Sequence, residues 1–344
     1  MKANLLHSAR RTAASLFAAG LLAAGSASAQ PAPTWDRILD AARKEGKVVL
    51  YTNTVPPVSQ RIAADFAKAY SDIKIEFTRL VGAQMNTTLT QERQSAVDGG
   101  DVVLTNETLW LEDRARENAL LPVSALPAFK GWPARHIIGN TIPTLSLEPF
   151  AMLYNKQLVK TPITGYQDLL RPEFKGKIGT TVPRGLATVA WWDWVEKSQG
   201  AEFMQKLAAQ QPKLYQGVVP NAQAVAAGEI SVSMYVIASV AKPLQAQGAP
   251  IELVIPKPSL GFNFVGAAMG WSKRPNAALV FMDYMMSPRG QAAWNGVRGE
   301  AASPLPGIAG SMDASTINLY DTRQYPGPVV DAHTERLNKL FTAP

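Results

Sequence analysis

Hydrophobic and polar positions alternate along this chain with two different periods. Ile38, Leu39 and Ala42 share one face of a predicted helix at Trp35–Glu45, and Gly46 is a natural residue at its end. KVVLYT at Lys47–Thr52 then predicts a short apolar strand. The alternation continues with predicted helices at residues 57–70 and 107–118 and predicted strands at residues 73–77 and 101–104. This order favours a parallel sheet covered on both faces.

The second half of the chain repeats this rhythm with different residues. The predicted strands lie at residues 145–154, 177–182, 230–236, 251–255 and 262–271. The predicted helices lie at residues 166–170, 186–199, 201–211, 222–228, 238–247, 276–286, 289–294 and 331–341. The pattern indicates an α/β fold of two units, with one chain passing between them.

The first 29 residues have the pattern of a secretory signal peptide. A basic start with Lys2, Arg10 and Arg11 precedes a short run of Ala, Leu and Phe, and small residues follow up to Ala29. The apolar run is shorter than the ~20 residues that a membrane anchor needs. We therefore expect cleavage after Ala29 and a periplasmic protein, by the general or the twin-arginine export route. The absence of Cys excludes a lipid anchor at this site.

Composition excludes several classes of function. Removing the signal lowers the formal net charge from +7 to +4, and the mature chain has no run of Lys and Arg, which argues against a nucleic-acid partner. The 344 residues contain no Cys and three His, which disfavours thiol, zinc and iron–sulfur chemistry. Nucleophile elbows, zinc-protease motifs and phosphate-binding glycine loops are missing from the sequence. We therefore expect no catalytic centre, no metal and no cofactor.

Three long segments of the chain are DRILDAARKEGKVVLYT at residues 36–52, GYQDLLRPEFKGKI at residues 165–178 and RPNAALVFMDYMMSPRGQ at residues 274–291. Four shorter ones lie at residues 101–103, 153–155, 224–232 and 247–256. Taken in order, these seven segments resemble solute-binding proteins of bacterial ABC importers, in the ferric-ion-binding-like branch (extracellular solute-binding family 1). The branch also includes binders of polyamines, thiamine and phosphonates.

The resemblance implies a type II periplasmic binding fold, in which two α/β lobes joined by hinge strands close over a ligand. It places the first lobe at residues 30–148 and 263–300 and the second lobe at residues 149–262. The hinges are expected near residues 146–151 and 260–267. Residues 301–344 form a C-terminal helical segment that either lobe can carry. The implied partners are a small-molecule ligand and an inner-membrane ABC permease, which reads the closed shape of a monomer.

Ferric binders resembling this chain hold iron with an adjacent pair of Tyr residues, usually together with a His and a Glu. The place of the Tyr pair is taken here by Ala238 and Ser239, and the His position falls near Val55. The Glu position falls at or beside Asn106, with Glu107 next to it. Ala and Ser cannot supply phenolate oxygens, so the sequence argues against ordinary ferric binding. Iron held by another set, such as Tyr235 and Glu107 with an exogenous anion, is one alternative.

Polar residues that follow the predicted strands are the candidates for the ligand site, because ligands of open α/β sheets bind beyond the carboxyl ends of the strands. Thr and Asn offer hydrogen bonds without charge, and Arg184 offers a fork suited to a carboxylate or phosphonate. Helix capping explains the Thr and Asn residues equally well, and solvent exposure explains Arg184. The predicted ligand-binding residues are Asn53, Thr54, Thr105, Asn106, Glu107, Thr181, Arg184, Tyr235 and Asn263.

These residues favour a substrate-binding subunit that captures a small polar or anionic organic solute, of carboxylate or phosphonate type. The alternatives are ferric iron held by a non-standard ligand set and a polyamine or thiamine ligand. An exported enzyme on the same fold would need a cluster of acid, base or nucleophile residues, which the sequence does not offer. A protein that presents its ligand to a sensory receptor would have the same sequence features.

Overall fold

A computed structural model describes residues 34–297 and 299–342, without the side chains of Ala83 and Thr342. The predicted signal peptide lies outside these residues. The helices are α1 (Trp35–Glu45), α2 (Pro56–Ala69), α3 (Ala83–Ser95), α4 (Thr108–Arg116), α5 (Leu186–Gln199), α6 (Ala201–Ala209), α7 (Val218–Ala226), α8 (Ala238–Ala246), α9 (Pro275–Met286), α10 (Pro288–Asn295) and α11 (Gly327–Thr342).

The strands are β1 (Lys47–Thr52), β2 (Lys74–Arg79), β3 (Val102–Thr105), β4 (Ile137–Ile138), β5 (Ile142–Asn155), β6 (Ile178–Thr181), β7 (Lys213–Tyr215), β8 (Val232–Ile237), β9 (Ile251–Val254), β10 (Ser259–Ala268) and β11 (Ile317–Leu319). The sequence did not predict α3, β4, β7 or β11. The other elements lie where hydrophobic periodicity predicted them, with ends shifted by a few residues.

The start of the chain shows how local chemistry sets these boundaries. Ile38 and Ala42 of α1 are buried, and Gly46 ends the helix with a φ of 72°. An L-residue with a side chain adopts this left-handed conformation only at a cost, so glycine suits the position. The Gly46 amide donates to the Ala42 carbonyl, and β1 begins at the next residue.

The sheet is parallel at its two ends and antiparallel in the middle. Along the hydrogen-bonded path the strand order is β2-β1-β3-β10-β5-β8-β6-β7. β1 pairs with β2 and β3 in parallel, and β6 pairs with β7 and β8 in parallel. The parallel pairing expected from the first half of the chain is confirmed among β1, β2 and β3. At the centre of the sheet β10 is antiparallel to β3 and β5, and β5 is antiparallel to β8 and β9.

Two long strands connect the parallel groups. We call β1, β2 and β3 the first strand group, and β6, β7 and β8 the second strand group. β5 pairs with β10 through residues 144–149 and with β8 through residues 150–154. β10 pairs with β5 through residues 261–265 and with β3 through residues 265–268. The chain thus passes from one strand group to the other along β5 and returns along β10.

The C-terminal helix α11 packs on α5, the helix that follows β6 of the second strand group. Leu337 of α11 is fully buried, and the rings of Trp192 on α5 and Phe341 on α11 lie 4.7 Å apart. Arg336 forms an ion pair with Glu196 of α5. The sequence left open which lobe carries this helix, because the apolar pattern of α11 gives no cue to its packing partner.

Aromatic side chains make up much of the core of the second strand group. Trp191 and Trp192 of α5 are fully buried, and the indole of Trp191 donates to the hydroxyl of Tyr166 over 3.0 Å. Both indoles therefore belong to the core. No helix in the described ranges is long and apolar enough to cross a membrane.

Candidate ligand-binding site

The residues that end β1 and β3 form a connected polar edge in the first strand group, which we call the first edge (residues 52–54 and 105–107). β1 and β3 are adjacent and parallel, so their carboxyl ends lie side by side. The side-chain amide nitrogen of Asn53 donates to Oδ1 of Asn106 over 2.5 Å. The structure thus brings together the predicted site residues that follow these two strands.

Most polar groups of the first edge are satisfied within the protein. The hydroxyl of Thr54 lies 3.0 Å from that of Thr52 and 2.7 Å from that of Ser59. The backbone amide of Glu107 donates to Oγ1 of Thr105 over 3.1 Å. The helix-cap interpretation is wrong for Thr54 and Thr105, because the N-cap residues of α2 and α4 are Val55 and Glu107 and neither helix has a side-chain cap hydrogen bond. Oδ1 of Asn53 differs, because it is buried without a partner in the described part of the chain.

The corresponding edge of the second strand group is less satisfied. We call residues 180–185, which end β6 and lead into α5, the second edge. The hydroxyls of Thr180 and Thr181 are buried, and neither has a hydrogen-bond partner in the described structure. Arg184 is exposed, and within residues 34–297 and 299–342 its guanidinium forms no hydrogen bond or ion pair. Unpaired buried hydroxyls are costly, so these groups are suited to receive a bound molecule.

Gly185 determines how the second edge enters α5. Its φ is 79°, and α5 begins at the next residue, Leu186. Backbone amides at the start of a helix have no partner within the helix, and they attract anions. Arg184 stands beside these amides, so the second edge combines a cation with backbone donors.

Tyr235, on β8, is buried in an aromatic stack. Its ring lies 5.0 Å from that of Phe150 and 4.6 Å from that of Trp191. Phe150 stacks in turn on Phe262 of β10, at 5.2 Å. Burial raises the pKa of Tyr235 above its usual range, so the phenol is neutral. Its hydroxyl lies 3.4 Å from that of Thr188 on α5.

Asn263 lies away from this stack. It alternates along β10 with Phe262 and Phe264, whose rings lie 5.3 Å apart. Because neighbouring side chains of a strand point to opposite faces, Asn263 faces away from Phe262 and hence from the Tyr235 stack. Its backbone pairs with Leu147 of β5. The structure does not bring Asn263 together with the other predicted residues.

Glu107 is a partly buried carboxylate at the start of α4. Burial raises the pKa of its carboxyl above the usual value. In the described ranges its side chain forms no hydrogen bond and no ion pair with Lys or Arg. A carboxylate in this position offers an acceptor to a ligand hydroxyl or ammonium group.

Ser239 and Glu148 form a contact that sequence reasoning missed. Ser239 is the second residue of α8, directly after β8, and its hydroxyl donates to Oε2 of Glu148 over 2.8 Å. Burial raises the pKa of Glu148 to about 7, opposed by the Ser239 hydrogen bond and by the charge of Arg61, while nearby Glu300 adds to the rise. Arg61 itself pairs with Glu300 over 2.9 Å. A lone Glu in an apolar strand gave no signal of this role.

Tyr320 is a second residue that the sequence did not indicate. It follows β11 and packs against the cluster of Val189, Ala190 and Tyr325, with its ring 6.2 Å from that of Tyr325. Burial raises the pKa of its phenol above the usual range, and the nearby Tyr235 and Glu107 raise it further. Tyr320 therefore brings the C-terminal segment close to a predicted residue of each strand group.

No cluster of three or more His, Asp or Glu side chains suited to hold a metal ion occurs within residues 34–297 and 299–342. Ala238 and Ser239 lie at the start of α8, where the resemblance places the Tyr pair of ferric binders. Ser239 makes a hydrogen bond inside the protein there.

Solved structures that share this fold come from several bacteria. The substrate-binding protein of an ABC transporter from Agrobacterium tumefaciens has 17% identity and a TM-score of 0.75, covering 86% of this chain and 94% of that one. The periplasmic binding protein AfuA from Actinobacillus pleuropneumoniae, with exogenous fructose-6-phosphate bound, has 17% identity and a TM-score of 0.68, covering 87% and 100%.

Iron-bound HitA from Pseudomonas aeruginosa has 18% identity and a TM-score of 0.64, covering 86% of this chain and 99% of that one. At these identities the likeness establishes the fold, which confirms the predicted periplasmic binding protein fold. No curated protein matches the chain in sequence.

The sequence also matches a family model, described as bacterial extracellular solute-binding protein, over residues 47–296. This match covers most of the chain and includes both strand groups, β5 and β10. It confirms the resemblance drawn from the seven sequence segments. The chain belongs to the bacterial extracellular solute-binding proteins.

Proposed function

We propose that this protein is the periplasmic substrate-binding subunit of an ABC importer, and that it captures a small organic anion of carboxylate or phosphonate type. It acts as a monomeric carrier rather than an enzyme and delivers its ligand to a membrane permease. The family match and the shared fold support the binding role. The signal-like first 29 residues support export.

The second edge carries the choice of an anionic ligand. Arg184 projects an unpaired guanidinium beside the first turn of α5, three residues after the unpartnered hydroxyl of Thr181. A guanidinium forms two parallel hydrogen bonds with a carboxylate or a phosphonate, and helix-start amides add further donors. The remaining polar groups of the ligand would meet Asn53 and Glu107 from the first edge.

Capture depends on movement between two lobes. In this proposal residues 30–148 and 263–300 form the first lobe and residues 149–262 the second. The hinges lie near residues 146–151 and 260–267, where β5 and β10 run between the strand groups. The packing of α11 on α5 supports adding it to the second lobe. A ligand that bridges the lobes stabilises the closed form, which the permease recognises.

Ferric iron is a second candidate, supported by one arrangement. Tyr235 and Tyr320 lie near one another, and Glu107 is close to Tyr320. Two phenols and a carboxylate are hard oxygen donors of the kind that suit a trivalent ion, with an exogenous anion completing the set. The raised pKa of both phenols disfavours this candidate, because each phenol must lose its proton to bind iron.

A thermal-shift screen of the mature, chelator-treated protein tests the proposal. The panel contains citrate, succinate, gluconate, methylphosphonate, 2-aminoethylphosphonate, fructose-6-phosphate, spermidine, thiamine and ferric citrate. A ligand that binds the native state alone raises the melting temperature with its concentration. We expect a shift with one class of anion that disappears in Arg184→Ala. A shift with spermidine or thiamine alone, or with ferric citrate accompanied by a visible tyrosinate–iron absorption band, would contradict it.

A further inference from the structure

The C-terminal segment of residues 317–325 crosses from one side of the candidate site to the other. It starts at β11, which pairs in parallel with residues 259–261 of β10. The hydroxyl of Ser259 donates to the Thr316 carbonyl over 2.8 Å, and the side-chain amide of Asn318 donates to the Ser259 carbonyl over 3.0 Å. The segment is therefore anchored on a strand that runs between the two strand groups.

Gly261 allows this close approach. A Cβ at this position would lie 2.4 Å from Cγ2 of Ile317 and 2.5 Å from the Glu148 carbonyl oxygen. Both distances are far below van der Waals contact, so any side chain at residue 261 would push β11 or β5 away. Ile317 uses the space to pack with Leu147 and Ala302.

The far end of the segment is bound to α5, the helix that follows β6 of the second strand group. The hydroxyl of Tyr325 donates to Oδ2 of Asp193 over 2.7 Å, and the same carboxylate pairs with Lys197 over 2.6 Å. Tyr325 is buried against Val189 and Ala190. A hydrogen bond between a buried phenol and a carboxylate is among the stronger kinds.

Between these anchors the segment also contacts α4, the helix that follows β3 of the first strand group. The short turn at Thr322–Gln324 contacts α4. The hydrogen bond to Asp321 raises the pKa of Arg323, and the nearby charge of Glu112 on α4 adds to the rise. Tyr320 packs against the cluster of Val189, Ala190 and Tyr325, with its ring 6.2 Å from that of Tyr325, and it lies within electrostatic reach of Glu107 and Tyr235. One segment thus joins α4 to α5 and lies near both Glu107 and Tyr235.

We propose that residues 317–325 form a latch that holds the two strand groups together over the ligand site, with Tyr320 as its inner, ligand-contacting residue. The latch rests on the proposed function in one respect, since Tyr320 is taken to meet the bound solute. When Tyr325 leaves Asp193, Tyr320 withdraws from between Glu107 and Tyr235 and the site opens. The phenol of Tyr320 donates a hydrogen bond, which suits an oxygen-rich anion.

Amide hydrogen exchange of the ligand-free, full mature chain tests the latch without any knowledge of the ligand. The variants are Tyr325→Phe, which removes the Asp193 hydrogen bond, and Tyr320→Ala, which removes the inner ring. Tyr215→Phe is the matched control, because it removes a phenol–carboxylate bond to Glu229 at β7, outside the segment. We expect exchange in residues 317–325 to speed up at least about tenfold in both latch variants and not in the control.

The regions on either side of the segment give the decisive comparison. Opening of the latch should also speed exchange in residues 105–112 and 186–193, while β1 and β6 keep their protection. Unchanged exchange in these flanking regions in both variants would overturn the latch. Faster exchange throughout the chain would also overturn it, because it would make Tyr320 and Tyr325 ordinary core residues.

Binding kinetics then test the contact made by Tyr320. The probe is the panel anion that gives the largest thermal shift, and stopped-flow measurement separates its association and dissociation rates. We expect Tyr320→Phe to raise the dissociation rate about fivefold, as for a lost hydrogen bond, and Tyr320→Ala to raise both rates. Equal rates in wild type and Tyr320→Phe would remove Tyr320 from the site. If no panel compound binds, the proposed function fails, while the exchange experiment still decides the latch.

Discussion

The first edge and the second edge differ in how far the protein satisfies their polar groups by itself. At the first edge Thr52, Thr54 and Ser59 bond to one another, and Asn53 bonds to Asn106. At the second edge the hydroxyls of Thr180 and Thr181 are buried without partners in the described structure. Both edges end parallel strands, so the strand pattern alone does not distinguish them.

In the proposed function, this difference assigns the charged part of the ligand to the second edge. The hydroxyls of Thr52, Thr54 and Ser59 already bond to one another and gain little from a new partner, whereas buried hydroxyls without partners gain the full value of a hydrogen bond. In this account these three hydroxyls form a rigid wall at the first edge, and the second edge, with Arg184, is the receiving side. Three changes test this comparison, beginning with the one expected to have the largest effect.

Glu148→Gln tests the hydrogen bond between Glu148 of β5 and Ser239 of α8. The folded-state pKa of about 7 lies above the ordinary value of 4.5, so the folded protein binds more protons than the unfolded chain between these values. This group's contribution to stability is therefore complete below about pH 4.5 and is lost as the pH rises to about 7, by up to about 3 kcal/mol.

The variant should have nearly wild-type stability at pH 5 and should be the more stable of the two at pH 8. Urea unfolding at both pH values measures this difference, with Glu76→Gln as a surface-carboxylate control. An equal change in the two proteins from pH 5 to pH 8 would mean that Glu148 does not titrate in this range.

Thr54→Val tests the hydroxyl network of Thr52, Thr54 and Ser59 at the first edge. The hydroxyl of Thr54 contacts both Thr52 and Ser59, and the residue is buried. Removing it leaves two buried hydroxyls with fewer partners, which should lower the free energy of unfolding by about 1–2 kcal/mol. Denaturant unfolding measures the loss. A variant as stable as wild type would show that this network is not the rigid wall of the account.

Thr181→Val is the matched change at the second edge and should have the smallest effect on stability. Its hydroxyl has no partner among the described residues, so its loss should not lower the free energy of unfolding and should raise it by up to about 1 kcal/mol. The affinity for the anion that binds should fall about fivefold, as for one hydrogen bond. A destabilisation as large as that of Thr54→Val would erase the difference between the edges.

Much of the fold follows from local patterns in the sequence. Gly46 ends α1 as predicted, and Leu186–Gln199 is the helix that its periodicity indicated. Helix α3 was missed because it is mostly polar, with Met85 and Leu89 as its deeply buried apolar side chains. Its end also gave no signal, since Ala96 rather than Gly adopts the left-handed conformation there, with a φ of 51°.

The antiparallel centre of the sheet was beyond such reasoning, because a buried strand has the same apolar pattern in either direction. The same limit applies to the site. Residues such as Asn53 and Arg184 follow strands directly, so their positions could be predicted. Tyr320 and Glu148 act through contacts with residues far away in sequence, and no local pattern indicates which distant side chain a residue will meet.

Isothermal titration of wild type and Arg184→Ala with the panel anion that gives the largest thermal shift tests the central claim most directly. Losing a guanidinium that pairs with a carboxylate or phosphonate should weaken binding by about 30-fold or more. Arg79→Ala is the matched control, because Arg79 bonds through Nε to the Thr54 carbonyl at the first edge. The account predicts a large loss for Arg184→Ala and a small one for Arg79→Ala. Equal affinities in wild type and Arg184→Ala would contradict it.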